Sequence, residues 1–188
     1  MSKVDLIVAA LQEELQSEFN DKLTCITGVG KVNATHALMA TLYKSNQFAD
    51  RVINFGTAVS KNLKPGSIVQ ALGFYQYDMK CAPLTGSIGI TPFEDHPTII
   101  SQRLFEDIPA FICGTGDTFI EQGHPALQLF EICDMESYAL AKVCQREKVP
   151  FYSFKYITDS GSTEDWKANL PHAAKEFRKI YDRIRCLT

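Results

Sequence analysis

Apolar runs rich in Val, Ile and Phe recur along the chain, and they do not alternate with polar residues. Such runs are typical of strands that are buried on both faces, as in a parallel sheet covered by helices. We therefore predict six strands, over Val4–Ala10, Leu23–Thr27, Val52–Phe55, Ser67–Phe74, Ala110–Cys113 and Phe151–Ile157.

Three other stretches repeat apolar residues at helical spacing, and they lie at Ala34–Leu42, Met135–Cys144 and Ala173–Ile184. Strands and helices mix throughout, which predicts an α/β fold with a largely parallel or mixed central sheet flanked by helices. The 188 residues favour a single domain over 1–188. Prolines and glycines punctuate Tyr75–His96, so we expect a long loop there, of the kind that often forms a functional lid.

Charge and composition exclude several classes of partner. With 19 basic and 22 acidic residues the net charge is −3, and no basic stripe is present, which argues against nucleic-acid binding. No apolar run is long enough for a membrane span, and the short apolar N-terminal run does not fit a signal peptide. A cytoplasmic protein without membrane partners is expected.

Cysteine and histidine spacing also argues against metal chemistry. The six cysteines form no C-x-x-C pair, and four of them sit inside apolar runs, so we expect reduced core thiols. They are Cys25, Cys81, Cys113, Cys133, Cys144 and Cys186. The histidines show no ligand spacing, which predicts no metal site at His36, His96, His124 or His172. The G-x-S-x-G motif of serine hydrolases is absent as well.

Candidate chemistry gathers where the predicted strands end. Open α/β sheets bind ligands beyond the carboxyl ends of their strands. The residues found there include carboxylates, hydroxyls and an aromatic ring: Gln12, Glu13 and Glu14; Gly56–Ala58; Gly114, Gly116, Asp117 and Phe119; and Thr158–Gly161. These segments are expected to meet in one cleft.

Each of these residues also has a purely structural interpretation. Glu14 and Glu136 fall in first helical turns, which favour carboxylates, and Asp159 begins a turn sequence that caps helices. Gly28–Lys31 resembles a phosphate-binding turn but lacks the third glycine, so a tight strand-to-helix turn is favoured. Trp166 fits an exposed helix start. The joint occurrence of separated carboxylates favours acid/base cleavage of a glycosidic bond.

Several longer motifs occur in a fixed order over nearly the whole chain. They are Ala10–Glu14, Gly28–Ala34, Asn54–Ala58, Lys64–Val69, Gly116–Ile120, Asp134–Glu136, Tyr138–Cys144, Val149–Phe151 and Ile157–Ser160. In this order they resemble the purine nucleoside phosphorylase and nucleosidase superfamily, and within it the bacterial methylthioadenosine/S-adenosylhomocysteine nucleosidases.

The resemblance implies a single α/β domain with a twisted mixed sheet, a homodimer, and hydrolysis of an adenine nucleoside without a metal or organic cofactor. By position, it implies that Glu14 activates water and that Asp159 protonates the purine at N7. It implies that Phe119 stacks on the base. Further substrate-site residues implied by the motifs are Thr57, Ala58, Ile120, Asp134, Met135, Glu136, Lys155 and Thr158, with Met135 and Glu136 at the ribose hydroxyls and Thr57 and Lys155 near the attacking water.

Two alternatives stay open beside hydrolysis. Phosphorolysis needs an arginine-rich cradle for phosphate, whereas Ala10–Glu14 is acidic, so hydrolysis is preferred. A catalytically weak nucleoside-binding homologue is the second alternative. It is motivated by a chain shorter than typical family members between Leu15 and Leu23 and after Tyr75, by Val59 in place of glycine and by Lys155 in place of arginine. An aspartate at 159, where relatives that cleave 6-oxopurine nucleosides have asparagine, points to adenine.

Overall fold

The computed structural model describes residues 4–44, 49–94 and 99–187. Its centre is a mixed sheet that runs in the order β2-β1-β3-β7-β6-β4-β5, with β8 paired to both β3 and β4. The strands are β1 (Asp5–Ala9), β2 (Thr24–Ile26), β3 (Arg51–Val59), β4 (Ile68–Gln76), β5 (Ile99–Ile100), β6 (Ala110–Thr115), β7 (Ile132–Asp134) and β8 (Phe151–Asp159).

The predicted α/β class with a mixed central sheet is confirmed, and part of the sheet closes on itself. Strands β3, β8, β4, β6 and β7 pair in a ring, which the antiparallel pair Val59–Cys133 completes between β3 and β7. Most pairings are parallel, and β8 runs antiparallel to β4. The carboxyl ends of β3, β6, β7 and β8 are thereby drawn together at one end of the ring.

Helices cover both faces of the sheet. They are α1 (Gln12–Leu15), α2 (Lys31–Lys44), α3 (Ala82–Thr85), α4 (Ala126–Leu129), α5 (Ser137–Glu147) and α6 (Thr163–Arg185), and a 3₁₀ turn at Gln16–Phe19 follows α1. Helices α2 and α5 pack on one face, around Leu38 and Leu140. Helix α6 packs on the other, where the rings of Phe55 and Phe177 stack 5.0 Å apart.

The predicted double burial of the strands is confirmed, since all five residues of β1 and eight of the nine in β8 are buried. The predicted apolar face of α6 is also buried, from Ala173 to Ile184. The ends of β3, β4, β6 and β8 were predicted two to four residues too early, because glycine and polar residues interrupt the apolar runs while strand pairing continues: β3 runs on to Val59 and β8 to Asp159. Strands β1 and β2 end one residue earlier than predicted. The short strands β5 and β7 were not predicted.

The predicted loop Tyr75–His96 is partly confirmed. Strand β4 extends to Gln76, and the segment behind it contains the one-turn helix α3 and is anchored on α5 by Lys142, which pairs with Glu94. Its last two residues, among them His96, lie outside the described residues. None of its described residues lines the cavity presented below, which gives the expected lid no support.

The cysteines are all free thiols, but only four lie in the core, at Cys25, Cys113, Cys133 and Cys144. The expectation of a core position is wrong for Cys186, which is exposed after α6, and for Cys81, which is half-buried at the start of α3. Within the described ranges, no helix has both the length and the apolar character that a membrane crossing requires.

Candidate active site

A cavity of about 250 Å³ opens at the carboxyl ends of β3, β7 and β8. Ten of the residues predicted from the sequence line it together: Glu14, Thr57, Ala58, Phe119, Ile120, Asp134, Met135, Glu136, Thr158 and Asp159. The predicted convergence of separate strand ends on one cleft is therefore what the structure contains.

Glu14 is held rigidly in the cavity wall. Because α1 starts directly after β1, its side chain folds back, and Oε2 accepts hydrogen bonds from the backbone N–H groups of Ala10 (2.9 Å) and Leu11 (3.0 Å). Its Oε1 accepts from the backbone N–H (2.7 Å) and the hydroxyl (3.0 Å) of Thr57 on β3. Only 2% of the residue is exposed, so four donors replace water around this carboxylate.

Lys155 does not line the cavity, unlike the other predicted residues. Its ammonium lies below the wall, 2.7 Å from the Asp134 carboxylate, and it donates to Oδ1 of Asn54 at 3.0 Å. A Cβ on Gly56 would lie 2.8 Å from Nζ and 3.8 Å from Oε1 of Glu14, so the glycine leaves the space that these two charged groups use.

The Asp134–Lys155 pair is fully buried, and both groups stay charged. Burial opposes either charge, yet the attraction between the two outweighs it. The pKa of Asp134 is therefore lowered and that of Lys155 is raised. Asp134 also accepts from the Thr115 hydroxyl (2.7 Å), from the backbone N–H of Ser137 (3.1 Å) and from the Ser137 hydroxyl.

Glu136 precedes α5 and sits among other acids. Its Oε1 accepts from the backbone N–H of Gly30 at 2.8 Å, and 8% of the residue is exposed. Burial first, then the nearby Asp134 and Glu14 carboxylates, raise the pKa of Glu136 to about 8. The carboxyl group thus carries a proton for most of the time at pH 7, and it can both donate and accept hydrogen bonds there.

Asp159, at the end of β8, both caps a turn and faces the cavity. Its Oδ1 accepts from the backbone N–H groups of Gly161 (2.8 Å) and Ser162 (3.2 Å), and its Oδ2 accepts from the Thr158 hydroxyl (2.8 Å). Gly161 has φ +107°, and a Cβ there would lie 2.3 Å from the backbone nitrogen of Gln122. Asp159 therefore stabilises a turn and also lines the cavity, so its structural and functional interpretations are compatible.

The remaining wall is largely apolar and includes residues that the sequence analysis missed. Phe119 is 38% exposed and presents its ring to the cavity, where Trp166 also lies. Trp166 was expected only as an exposed helix start, but α6 begins four residues after Asp159, so its first turn faces the same cavity. That short separation from Asp159 is the signal that could have identified it. Other wall residues not predicted are Ala10, Leu11, Val29, Val59, Thr118, Cys133, Thr163 and Lys167.

The charges of the cavity limit its chemistry. Four acidic residues line it, Glu14, Asp134, Glu136 and Asp159, against one basic residue, Lys167. Throughout the described part of the chain, no group of three or more His, Cys, Asp or Glu side chains is arranged to hold a metal ion. Fixed carboxylates beside aromatic and aliphatic walls suit a neutral ligand with a flat ring and hydroxyl groups, with acid/base chemistry supplied by the protein.

Known proteins are similar to this chain in sequence and in fold. Two curated 5′-methylthioadenosine/S-adenosylhomocysteine nucleosidases from Buchnera aphidicola are similar in sequence. The one from subspecies Schizaphis graminum is 29% identical over 82% of this chain and 74% of the relative, and the one from subspecies Baizongia pistaciae is 30% identical over 82% and 77%.

Solved structures match the fold over its full extent. The Helicobacter pylori 5′-methylthioadenosine/S-adenosylhomocysteine nucleosidase superposes with a TM-score of 0.86 at 16% identity, covering 100% of this chain and 99% of that one. The futalosine hydrolase of the same species gives 0.82 at 19% identity, with 97% of each chain covered. The family model of the phosphorylase superfamily matches residues 19–184. This chain therefore belongs to the phosphorylase superfamily.

Proposed function

We propose that the protein hydrolyses the N-glycosidic bond of adenine nucleosides of the methylthioadenosine/S-adenosylhomocysteine type and releases adenine. The observation that carries the proposal is the placement of three buried carboxyl groups, those of Glu14, Glu136 and Asp159, around one cavity with an aromatic wall. The names of the curated relatives support the choice of substrate.

At the adenine end of the substrate, Asp159 delivers a proton to N7 of the purine, so that adenine leaves as a neutral molecule. A positioned proton transfer of this kind accelerates a reaction by roughly 10²–10⁴-fold. Phe119 stacks on the base, and Ala58, Ile120 and Thr158 border it. The three hydrogen bonds to Asp159 fix the direction from which the proton arrives.

At the sugar end, Met135 and Glu136 hold the ribose hydroxyls. The sugar becomes positively charged as the bond breaks, and the Glu14 carboxylate stabilises that charge in a site shielded from water. Asp134 and Lys155 lie beneath the sugar, where their ion pair connects β7 to β8.

Glu14 orients and activates the attacking water. A carboxylate has about four acceptor positions, and in Glu14 all four are occupied by protein donors. Three of the donors are backbone N–H groups, whereas the fourth is the Thr57 hydroxyl, which can rotate. Rotation of this hydroxyl opens one acceptor position on Oε1 for the water, so Thr57 lies at the water site. The Lys155 ammonium lies behind the cavity wall, next to the space that Gly56 leaves open.

Hydrolysis is preferred to phosphorolysis on electrostatic grounds. A phosphate dianion needs cationic donors such as arginine, and the described residues that line the cavity include four acidic side chains and no arginine. Purified protein should be incubated with methylthioadenosine, S-adenosylhomocysteine, adenosine and inosine, with and without phosphate. We expect adenine release that does not depend on phosphate. Cleavage that requires phosphate would assign the protein to the phosphorylases.

Two variants test the assigned roles. Asp159→Asn cannot donate the proton, and Glu14→Gln cannot accept one, so each should lose most of the hydrolytic rate. Glu13→Gln, which changes an exposed carboxylate of the same helix, is the matched control. If Asp159→Asn kept the full rate, its acid role would be wrong. Thermal stabilisation by nucleoside without turnover would favour the weak binding homologue instead.

We also propose a cytoplasmic homodimer. The free state of all six cysteines suits a reducing compartment. Exposed apolar side chains on α2, Val32 at 79% and Tyr43 at 70%, offer contact area for a second subunit. Light scattering coupled to size-exclusion chromatography measures the mass directly, and a monomer at every concentration would refute the dimer.

A further inference from the structure

Lys31 makes contacts that neither the turn before it nor the proposed reaction explains. It follows the Gly28–Gly30 turn and is the first residue of α2. Its ammonium lies 2.5 Å from Oδ2 of Asp78 and 3.3 Å from Oδ2 of Asp117. Its backbone N–H donates to Oδ1 of Asp117 at 2.8 Å.

The two aspartates are also linked to each other, because the backbone N–H of Asp117 donates to Oδ2 of Asp78 at 3.0 Å. Lys31, Asp78 and Asp117, which we call the Lys31 clasp, thus join the start of α2, the turn after β4 and the loop after β6. Their side chains are 17%, 30% and 45% exposed, so solvent reaches the clasp only in part.

The clasp lies beside the cavity without lining it, and its sequence neighbours form the wall. Thr118 and Phe119 follow Asp117 directly, and Val29 precedes Lys31 by two positions. The backbone N–H of Gly30 is the donor to Glu136. A Cβ on Gly30 would lie 3.2 Å from Oδ1 of Asp117, so the turn and the loop are already in close approach.

We propose that Lys31 is a positioning residue for the nucleoside: its ammonium holds Asp78 and Asp117 together, and this fixes both the Phe119 wall and the Gly30 donor to Glu136. The proposal rests on the proposed function, because it assigns Phe119 to the base and Glu136 to the ribose. Without the cation, the carboxylates of Asp78 and Asp117 would repel each other, and the loop that carries Phe119 would move away from the turn.

Tyr77 also holds the loop after β6, which limits the expected effect of losing the Lys31 charge. The Tyr77 hydroxyl donates to the backbone oxygen of Thr118 at 3.2 Å, and the Tyr77 ring lies where a Cβ on Gly116 would be, 2.4 Å away. Removal of the Lys31 charge should therefore loosen the wall and leave the chain folded. Binding is weakened while the acid and base groups of the reaction stay in place.

Lys31→Met removes the charge and keeps the length of the side chain, and Lys175→Met, at an exposed lysine of α6, is the matched control. Trp166 is the single tryptophan and lines the cavity, so quenching of its fluorescence by adenine measures binding without turnover. For Lys31→Met we expect the Kd of adenine and the KM of methylthioadenosine to rise about tenfold, with kcat changed less than about threefold. Lys31→Arg should restore most of the affinity.

The dependence of the Kd on salt distinguishes a lysine that positions the binding site from one that only stabilises the fold. Methylthioadenosine and adenine are uncharged at neutral pH, so ionic strength acts on the clasp and not on the encounter. Between about 0.05 M and about 1 M sodium chloride, the Debye length falls to about 3 Å. The Kd of the wild type should rise, whereas that of Lys31→Met should fall, because salt screens the repulsion that remains between Asp78 and Asp117.

The outcomes separate this proposal from the proposed function. Wild type that neither binds adenine nor cleaves methylthioadenosine would refute the proposed function. If wild type is active but Lys31→Met has the same Kd, KM and salt dependence, the positioning role of Lys31 is wrong. Should Lys31→Met fail to fold, a wild-type Kd that is independent of salt would overturn the proposal by itself.

Discussion

Glu136 offers a direct test of the electrostatics inferred for the cavity. Burial and the Asp134 carboxylate raise its pKa from an ordinary 4.5 to about 8, so the folded protein keeps a proton that the unfolded chain releases. Glu136→Gln replaces the protonated side chain with a neutral one of the same shape, and its oxygen can still accept from the Gly30 N–H. The variant therefore resembles the wild type at low pH and departs from it as pH rises.

The direction and size of the effect follow from proton linkage. Below about pH 4.5 the carboxyl group is neutral in both states, and its contribution to stability is fully present. Between about 4.5 and about 8 that contribution is lost progressively, because the unfolded chain gains a favourable charge that the folded protein resists. Each pH unit changes the free energy of unfolding by about 1.4 kcal/mol, so Glu136→Gln should exceed wild type by on the order of 3 kcal/mol at pH 7.

Urea unfolding of wild type and Glu136→Gln at pH 5, 6, 7 and 8 measures this difference, because the other titrating groups contribute equally to both proteins. Glu13→Gln, at an exposed carboxylate, should show a difference from wild type that stays constant with pH. A difference between Glu136→Gln and wild type that does not grow from pH 5 to pH 8 would show that the buried acids do not act on Glu136 as inferred.

Two further predictions concern stability. Lys155→Met leaves the buried Asp134 carboxylate without its cation and should lower the free energy of unfolding, measured in urea, by about 3–5 kcal/mol. Adding Asp134→Asn to this variant should recover part of the loss. Equal stability of the single and double variants would contradict the inferred role of the ion pair. Gly161→Ala forces a Cβ to within 2.3 Å of backbone at φ +107° and should lower the Tm by several degrees. Gly123→Ala, at φ +85° with open space around it, should lower it by clearly less, and equal effects would refute the steric argument.

The site was more predictable than its surroundings. Glu14 and Asp159 follow predicted strands, and Glu136 stands at the start of a predicted helix; all three line the cavity. Trp166 was correctly predicted at a helix start, but its place in the cavity wall depends on where α6 starts relative to Asp159, which local composition does not reveal. Lys155 was predicted near the attacking water, but its pairing with Asp134 behind the cavity wall could not be predicted, because a lysine within a buried strand pairs with whichever anion folding packs against it.

The alternation of apolar runs with helical patterns, by itself, determined the α/β class, the buried strands and the order of the chemical motifs, because these depend on local periodicity. Only the tertiary structure decided that β3 and β7 close part of the sheet into a ring, since the single pair Val59–Cys133 joins residues 74 positions apart. Only the tertiary structure decided the protonation of Glu136 as well. A pKa of about 8 arises from burial and from carboxylates brought near by folding, and a sequence position alone carries neither.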